Sequence, residues 1–219
     1  MNQLEKVQPL LTFLELQAVY SKPNFEFSTR GSAVMSAVFE AFRTWNITLA
    51  NVSAKQNPAN AGEVAIMFGL QNSQLTFSVG VGGATLVVAN PDWFQEQLVS
   101  EVASAGLQAV RSSTGVTFRQ YVLNLLMHVK PERRSLCEVS ANFLRITSPK
   151  ISSSAVKARG FSVYAEDFSW VVDSSAMYAE ALFLKIVRTF DPNVSLPVMA
   201  RSLRADQVEL LAALQLRMD

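Results

Sequence analysis

The chain reads as an α+β protein built on a largely antiparallel sheet of about eight strands, in one or two similar halves. Three observations predict it. Apolar runs rich in β-branched and aromatic residues are joined by short Asn, Gly and Ser connections, too short for the crossovers that parallel strands require. Two longer segments repeat apolar residues at helical spacing, and the C-terminal stretch is helical again. The expected architecture therefore packs two long amphipathic helices and a helical C-terminus on one face of the sheet.

Leu11 to Tyr20 (LTFLELQAVY) is the first strand, and it ends at Lys22-Pro23 because proline cannot continue a ladder and holds its predecessor extended. From Thr29 to Trp45 the residues Val34, Met35, Val38, Phe39, Phe42 and Trp45 recur at helical steps, with Ser28 or Ser32 as N-cap. Strands follow at Asn46 to Ser53, Glu63 to Leu70, Gln74 to Val81 and Ala84 to Ala89. Gln71-Asn72-Ser73 and Gly82-Gly83 between them are turn compositions, so these strands read as an antiparallel meander. Asn90-Pro91-Asp92 then supplies a cap, a first-turn proline and an acid at the positive end of the dipole. It opens a helix through Phe94, Leu98, Val102 and Ala105 that stops near Gly106.

Val116 to Val129 is long enough for a helix, but its β-branched and aromatic content and its Lys130-Pro131 end make it a long strand. Leu136 to Ile146 pairs back with it across the turn at Pro131 to Ser135. Thr147 to Arg159 is Ser-rich, contains Pro149 and has no period, which makes it the expected loop. Phe161 to Val172 and Ala181 to Phe190 are two further strands. The helical segments at the end open at Pro197 and span Asp206 to Leu216. The stretch FLKIVRTFDPNVSL at 183 to 196 echoes FLELQAVYSKPNFEF at 13 to 27. A duplication would divide the single domain 1–219 into closely packed halves, 1–110 and 111–219; chance likeness of two strand-to-helix corners is the simpler account.

Apolar residues make up 49% of the chain and charged residues 17%, so the interior is well supplied while the surface is thinly charged. A chain of this size needs neither a metal nor a disulfide to hold it. With a net charge of +1 it lacks the self-repulsion that keeps monomers apart, which favours a homo-oligomer. The single cysteine, Cys137, forms no internal disulfide, and the first twenty residues carry Glu5 and Glu15 where a secretory signal would be cationic and then apolar. These features point to a cytoplasmic protein without a membrane span.

Chemistry is limited by the same inventory. The glycines of Ser78 to Ala84 lead into the strand formers Thr85-Leu86-Val87-Val88, so they read as a hairpin turn with a bulge at Gly80 and not as a phosphate cradle before a helix. His128 lacks any sequence cue for a nucleophile and an orienting acid, and reads as a strand-end imidazole bonded to backbone or solvent. Cys137 reads as a structural thiol. Adjacent residues on a strand face opposite ways, so Glu166 and Asp167 cannot share a cleft, whereas Asp167 and Asp173 can. No cofactor, metal site or catalytic set is expected, and the chain is read as more plausibly a non-enzyme.

Charge segregation is the one positive signal. Seven cations and two anions lie between Lys130 and Gly160, whereas residues 161 to 219 hold five cations and eight anions. The expected binding residues are Arg133, Arg134, Lys150, Lys157 and Arg159, together with Trp93 and Trp170 as aromatics that reach a surface or pocket. An internal use of these cations, against the acidic last quarter or a neighbouring subunit, is the plainer reading. Nucleic acid is disfavoured because Phe143 is the only aromatic interleaved with the cations. The expectation is a protein of unknown pathway that binds another protein or assembles with itself. The alternatives are a carrier of a small apolar ligand between sheet and helices, and a hydrolase using Asp167 and Asp173.

Overall fold

The computed structural model describes residues 4–25, 27–57, 60–71, 74–91, 96–134, 138–139 and 160–218. Among the described residues, ten strands form a largely antiparallel sheet with three long helices. In chain order the strands are β1 (Glu5–Tyr20), β2 (Val52–Asn57), β3 (Asn60–Leu70), β4 (Leu75–Gly80), β5 (Gly83–Ala89), β6 (Phe118–Pro131), β7 (Phe161–Tyr164), β8 (Phe168–Ser174), β9 (Leu182–Phe190) and β10 (Leu216–Arg217). The helices are α1 (Phe27–Ala41), α2 (Glu96–Thr114) and α3 (Leu196–Ala213). Two compact units divide the chain. One is made of residues 13–124 and 189–200, the other of residues 1–12, 125–188 and 201–219, so β1 and β6 contribute to both.

The unit of residues 13–124 carries the meander. Its strand order is β2-β3-β4-β5-β1, every pair antiparallel, with Phe68 opposite Phe77, Phe77 opposite Leu86, and Leu86 opposite Leu16. That register follows from alternation: Ile66, Phe68, Leu75, Phe77, Val79, Ala84, Leu86, Val88, Leu16 and Ala18 all point to one buried face. Helix α1 buries Phe27, Val34 and Val38, a stripe at helical spacing, and Phe42 follows it. Both helices cover the same sheet face. A Cβ on Gly31 of α1 would meet Ile66 Cδ1 at 3.7 Å, and one on Gly106 of α2 would lie 2.7 Å from Phe77 Cζ and 3.0 Å from Phe42 Cζ.

Gly106 therefore does not end α2; it lets the helix approach the Phe42 and Phe77 rings. The helix runs on to Thr114 and stops at Gly115, whose φ of +69° and N–H bond to Arg111 O close the last turn. Asn46 to Ser53 also departs from the strand expected there. Thr48 and Asn51 bond to each other side chain to side chain, and the Asn51 carbonyl oxygen Oδ1 accepts the Thr48 N–H. This local pairing bends Leu49–Asn51 into a 3-10 turn, and β2 begins only at Val52.

The second unit orders β6-β9-β8-β7, with β10 running parallel beside the start of β1. The long strand expected from Val116 is β6. The single strand expected over Phe161 to Val172 is two, β7 and β8, because the chain turns at Ala165 to Asp167 and the Ala165 N–H closes the turn on Phe168 O. The two closing helical segments are one continuous helix, α3, which buries Met199, Leu203, Asp206, Gln207 and Leu210 on one side. Glu138 and Val139 are helical; the rest of Leu136 to Ile146, the loop at 147–159 and Cys137 lie outside the described residues. No helix among the described residues is long and apolar enough to cross a membrane.

Candidate functional site

Of the residues expected to bind, Arg134 is used inside the fold. The Glu5 carboxylate accepts the backbone N–H groups of Arg133 and Arg134, at 2.6 and 2.9 Å, and also the Arg134 Nε–H. Arg134 Nη2 then donates to the carbonyls of Leu214 and Gln215, at 3.3 and 2.8 Å, and the Glu5 N–H bonds to Gln215 O. One guanidinium thus clips the first strand to the turn after β6 and to the end of α3. Partial burial pushes the Glu5 carboxyl up, but the Arg134 side chain, the two backbone donors and the Arg134 charge outweigh it and hold it below the usual value.

Arg133 is exposed and contributes its backbone N–H alone to that clip. Trp170, expected to reach a surface or pocket, is instead buried: it is 8% exposed, beside the Phe168 ring, and its Nε1–H has no acceptor among the described residues. It stands in β8 opposite Ile186, a core position by strand parity that the local sequence around Asp167 obscures. Lys150, Lys157, Arg159 and Trp93 lie outside the described residues.

The two carboxylates proposed for hydrolysis are not neighbours. Asp167 sits in the turn before β8 and accepts from Arg188 Nη2, while Asp173 lies at the far end of the strand and accepts the Ser174 N–H. Six residue steps of extended chain, at about 3.3 Å each, set them roughly 20 Å apart, well beyond the roughly 5 to 9.5 Å that paired glycosidase carboxylates need. Arg188 is committed to Asp206 of α3, with Nη1 at 2.7 and 2.9 Å from its two oxygens. Among the described residues, no three His, Cys, Asp or Glu side chains gather where a metal could bind.

Sequence reading missed Ser175. It brings its hydroxyl to 2.8 Å from His128 Nδ1 across 47 residues of chain, while the imidazole packs against the Tyr178 and Phe183 rings, at 5.4 and 5.3 Å between centroids. The pair resembles a nucleophile with its base but is not arranged as one. Ser175 Oγ already accepts the N–H groups of Met177 and Tyr178, at 3.1 and 2.9 Å, so both lone pairs are occupied and none is left to attack a substrate. Burial holds the imidazole below its ordinary value, in the neutral state.

The cavity expected between sheet and helices meets tight packing in the first unit: Phe27, Phe42, Phe68 and Phe77 are at most 2% exposed, and Gly106 leaves no room for a methyl group. The described grooves are open and partly polar instead. One of about 560 Å³ is lined by Ser21, Lys22, Asn24, Thr114 and Thr117 with Phe25, and another of about 490 Å³ by Lys6, Gln8, Lys130 and Glu132 with Pro9 and Pro131.

A further surface is the other face of the meander. Alternation places Ala65, Met67 and Gly69 of β3, Thr76 and Ser78 of β4, Thr85 and Val87 of β5, and Phe13, Gln17 and Val19 of β1 there, all half-buried. Neither α1 nor α2 covers them, since both lie on the opposite side. Among the described side chains of this face, the charges are Glu15, which accepts from Gln17 Nε2 at 2.9 Å and from Asn124 Nδ2 at 3.0 Å, and Lys55 at the β2 edge.

No family model matches the chain, and no curated protein does. Among solved structures, the TBP of Methanococcus jannaschii is similar over 96% of this chain and 98% of that one, at 10% identity and a TM-score of 0.33. At that level the likeness carries no statement about function.

Proposed function

We propose that this protein works by self-assembly, docking the face of its β2–β5 meander opposite α1 and α2 against the same face of a second copy. The observation that supports the reading is the composition of that face among its described side chains: small hydroxyl residues, Met67, Val87 and Phe13, with the Glu15 carboxylate already satisfied by two amides. A like surface can be apposed without repulsion when its charge is near zero, and a net charge of +1 adds little long-range opposition. A second copy suits such a face because a two-fold interface requires only a self-compatible patch. Homo-oligomerisation is thus the form of protein binding the geometry favours.

Native mass spectrometry and light scattering of the purified chain test it. The wild type should be a dimer, and the Met67→Lys, Thr85→Lys double variant should be a monomer with unchanged circular dichroism, because both lysines would have to lose water inside the interface. A wild type that stays monomeric at the highest attainable concentration, or a double variant that remains dimeric, overturns the reading.

A further inference from the structure

The loop between β8 and β9 is held by an arrangement with a defined proton inventory. Ser175 Oγ accepts two backbone N–H groups, from Met177 and Tyr178 in its own loop, and lies 2.8 Å from His128 Nδ1 on β6. With both acceptor positions filled, the hydroxyl hydrogen is the one atom left to make the contact with the ring, so Nδ1 must be the acceptor and the ring proton must reside on Nε2. A second ring proton, on Nδ1, would face an oxygen with no free lone pair, at a site 8% exposed and walled by the Tyr178 and Phe183 rings.

We propose that His128 is a proton-operated latch, which holds the 175–181 loop on β6 through Ser175 while neutral and releases it when protonated. The charged groups around it do not offset the conflict. Lys130, two residues along β6 on the same face, is paired with Glu180 of the loop at 3.4 Å. On the neighbouring strands Asp173, opposite Phe183 in the register, spends Oδ1 on the Ser174 N–H, and Lys185 follows Phe183 on the same side of β9. Of the charged residues at the start of β1, Glu5 is held by Arg134, and Lys6 lies beside Lys130 along the groove described above. Release would uncover Tyr178 and Phe183 next to Met177, which is already 65% exposed, so acid would open an apolar patch.

The sign follows from burial. A buried imidazole binds its proton more weakly in the folded chain than in the unfolded one, so the latch is complete above the ordinary histidine value of 6.5 and fails as pH falls through the lower folded value. Because His128 is the only histidine, the test is direct. NMR of the full chain over about pH 5 to 8, where an imidazole changes charge, follows its ring carbons together with the Met177 and Tyr178 amides. The expected result is a midpoint below 6.5, an Nε2–H tautomer above it, and both amides shifting with that same midpoint.

Ser175→Ala should lower the hydrogen-exchange protection of the two amides about tenfold or more at neutral pH, the equilibrium equivalent of one pKa unit. His128→Phe should leave the loop amides without a titration in this range. A midpoint at or above 6.5, an Nδ1–H tautomer, or loop amides that stay fixed while the ring titrates overturns the latch. The wild-type titration decides the matter even if the phenylalanine variant fails to fold.

Discussion

The two units both bury apolar cores but differ in the contacts that accompany them. In the unit of residues 13–124, Phe42 stands edge-on to Phe68, Phe77 and Trp45 with centroids 5.9, 5.4 and 5.8 Å away, and its one described ion pair, Arg43 to Glu40, is more than half exposed on both sides. The other unit has an interior of Leu125, Met127, Leu184 and Ile186 and adds directional contacts to it: Glu5 with Arg134, Arg188 with Asp206, Lys130 with Glu180 and His128 with Ser175. The contrast teaches where each should be vulnerable. Aromatic packing is indifferent to salt and to pH, whereas partly buried charges and a neutral imidazole depend on protonation and, where exposed, on ionic strength.

The largest expected effect lies in the aromatic unit. Phe42→Ala removes a fully buried ring from three neighbours and should cost about 3 to 5 kcal/mol in urea unfolding, by the same amount at low and high salt. A loss below about 1 kcal/mol would mean that the site collapses around the cavity and that the ring cluster is not what holds this unit.

Next comes Arg134→Ala, which leaves the Glu5 carboxylate and the Leu214 and Gln215 carbonyls, in the turn after α3, without their donor. We expect about 2 to 3 kcal/mol, and Arg134→Lys should recover only part of it, since an ammonium cannot reproduce the fork. The Glu5 carboxyl is held below its ordinary value, so its contribution is fully present above about 4.5 and disappears as pH falls through the lower folded value. The gap between wild type and Arg134→Ala must therefore narrow in acid; a constant gap would assign the effect to packing of the arginine stem. Smallest is Lys130→Ala, which breaks an exposed pair and should cost less than about 1 kcal/mol at low salt and nothing measurable at high salt. Persistence in high salt would place that pair with the buried clips.

The sequence exposes this contrast only in part. The meander was legible because alternation in Glu63 to Ala89 and short connections together admit one antiparallel arrangement, and the α1 stripe was legible from its spacing. Gly106 was misread as a stop, since a glycine that admits a neighbouring ring looks, in sequence, like one that ends a helix; Gly115, nine residues on, carries the positive φ. Thr48 and Asn51 likewise show their mutual bonds only when the backbone is in hand. Arg134 stood out as a cation in a basic stretch, but nothing near it indicated that its carboxylate partner lies 129 residues earlier. His128 was visible as a lone imidazole, and Ser175, one serine among many, had no local signal at all.

What the sequence by itself determined is the local physics: period two or period 3.6 in the apolar residues, which chose strand or helix, and an inventory with one histidine and one cysteine, which narrows the chemistry. What only the tertiary structure decided is pairing: which carboxylate meets Arg134, which hydroxyl meets His128, and which face of the meander α1 and α2 cover. The physical reason is range. Periodicity acts within a few residues and is written in the chain, whereas a contact between residues 47 or 129 positions apart exists only once strand register has carried both side chains to the same place.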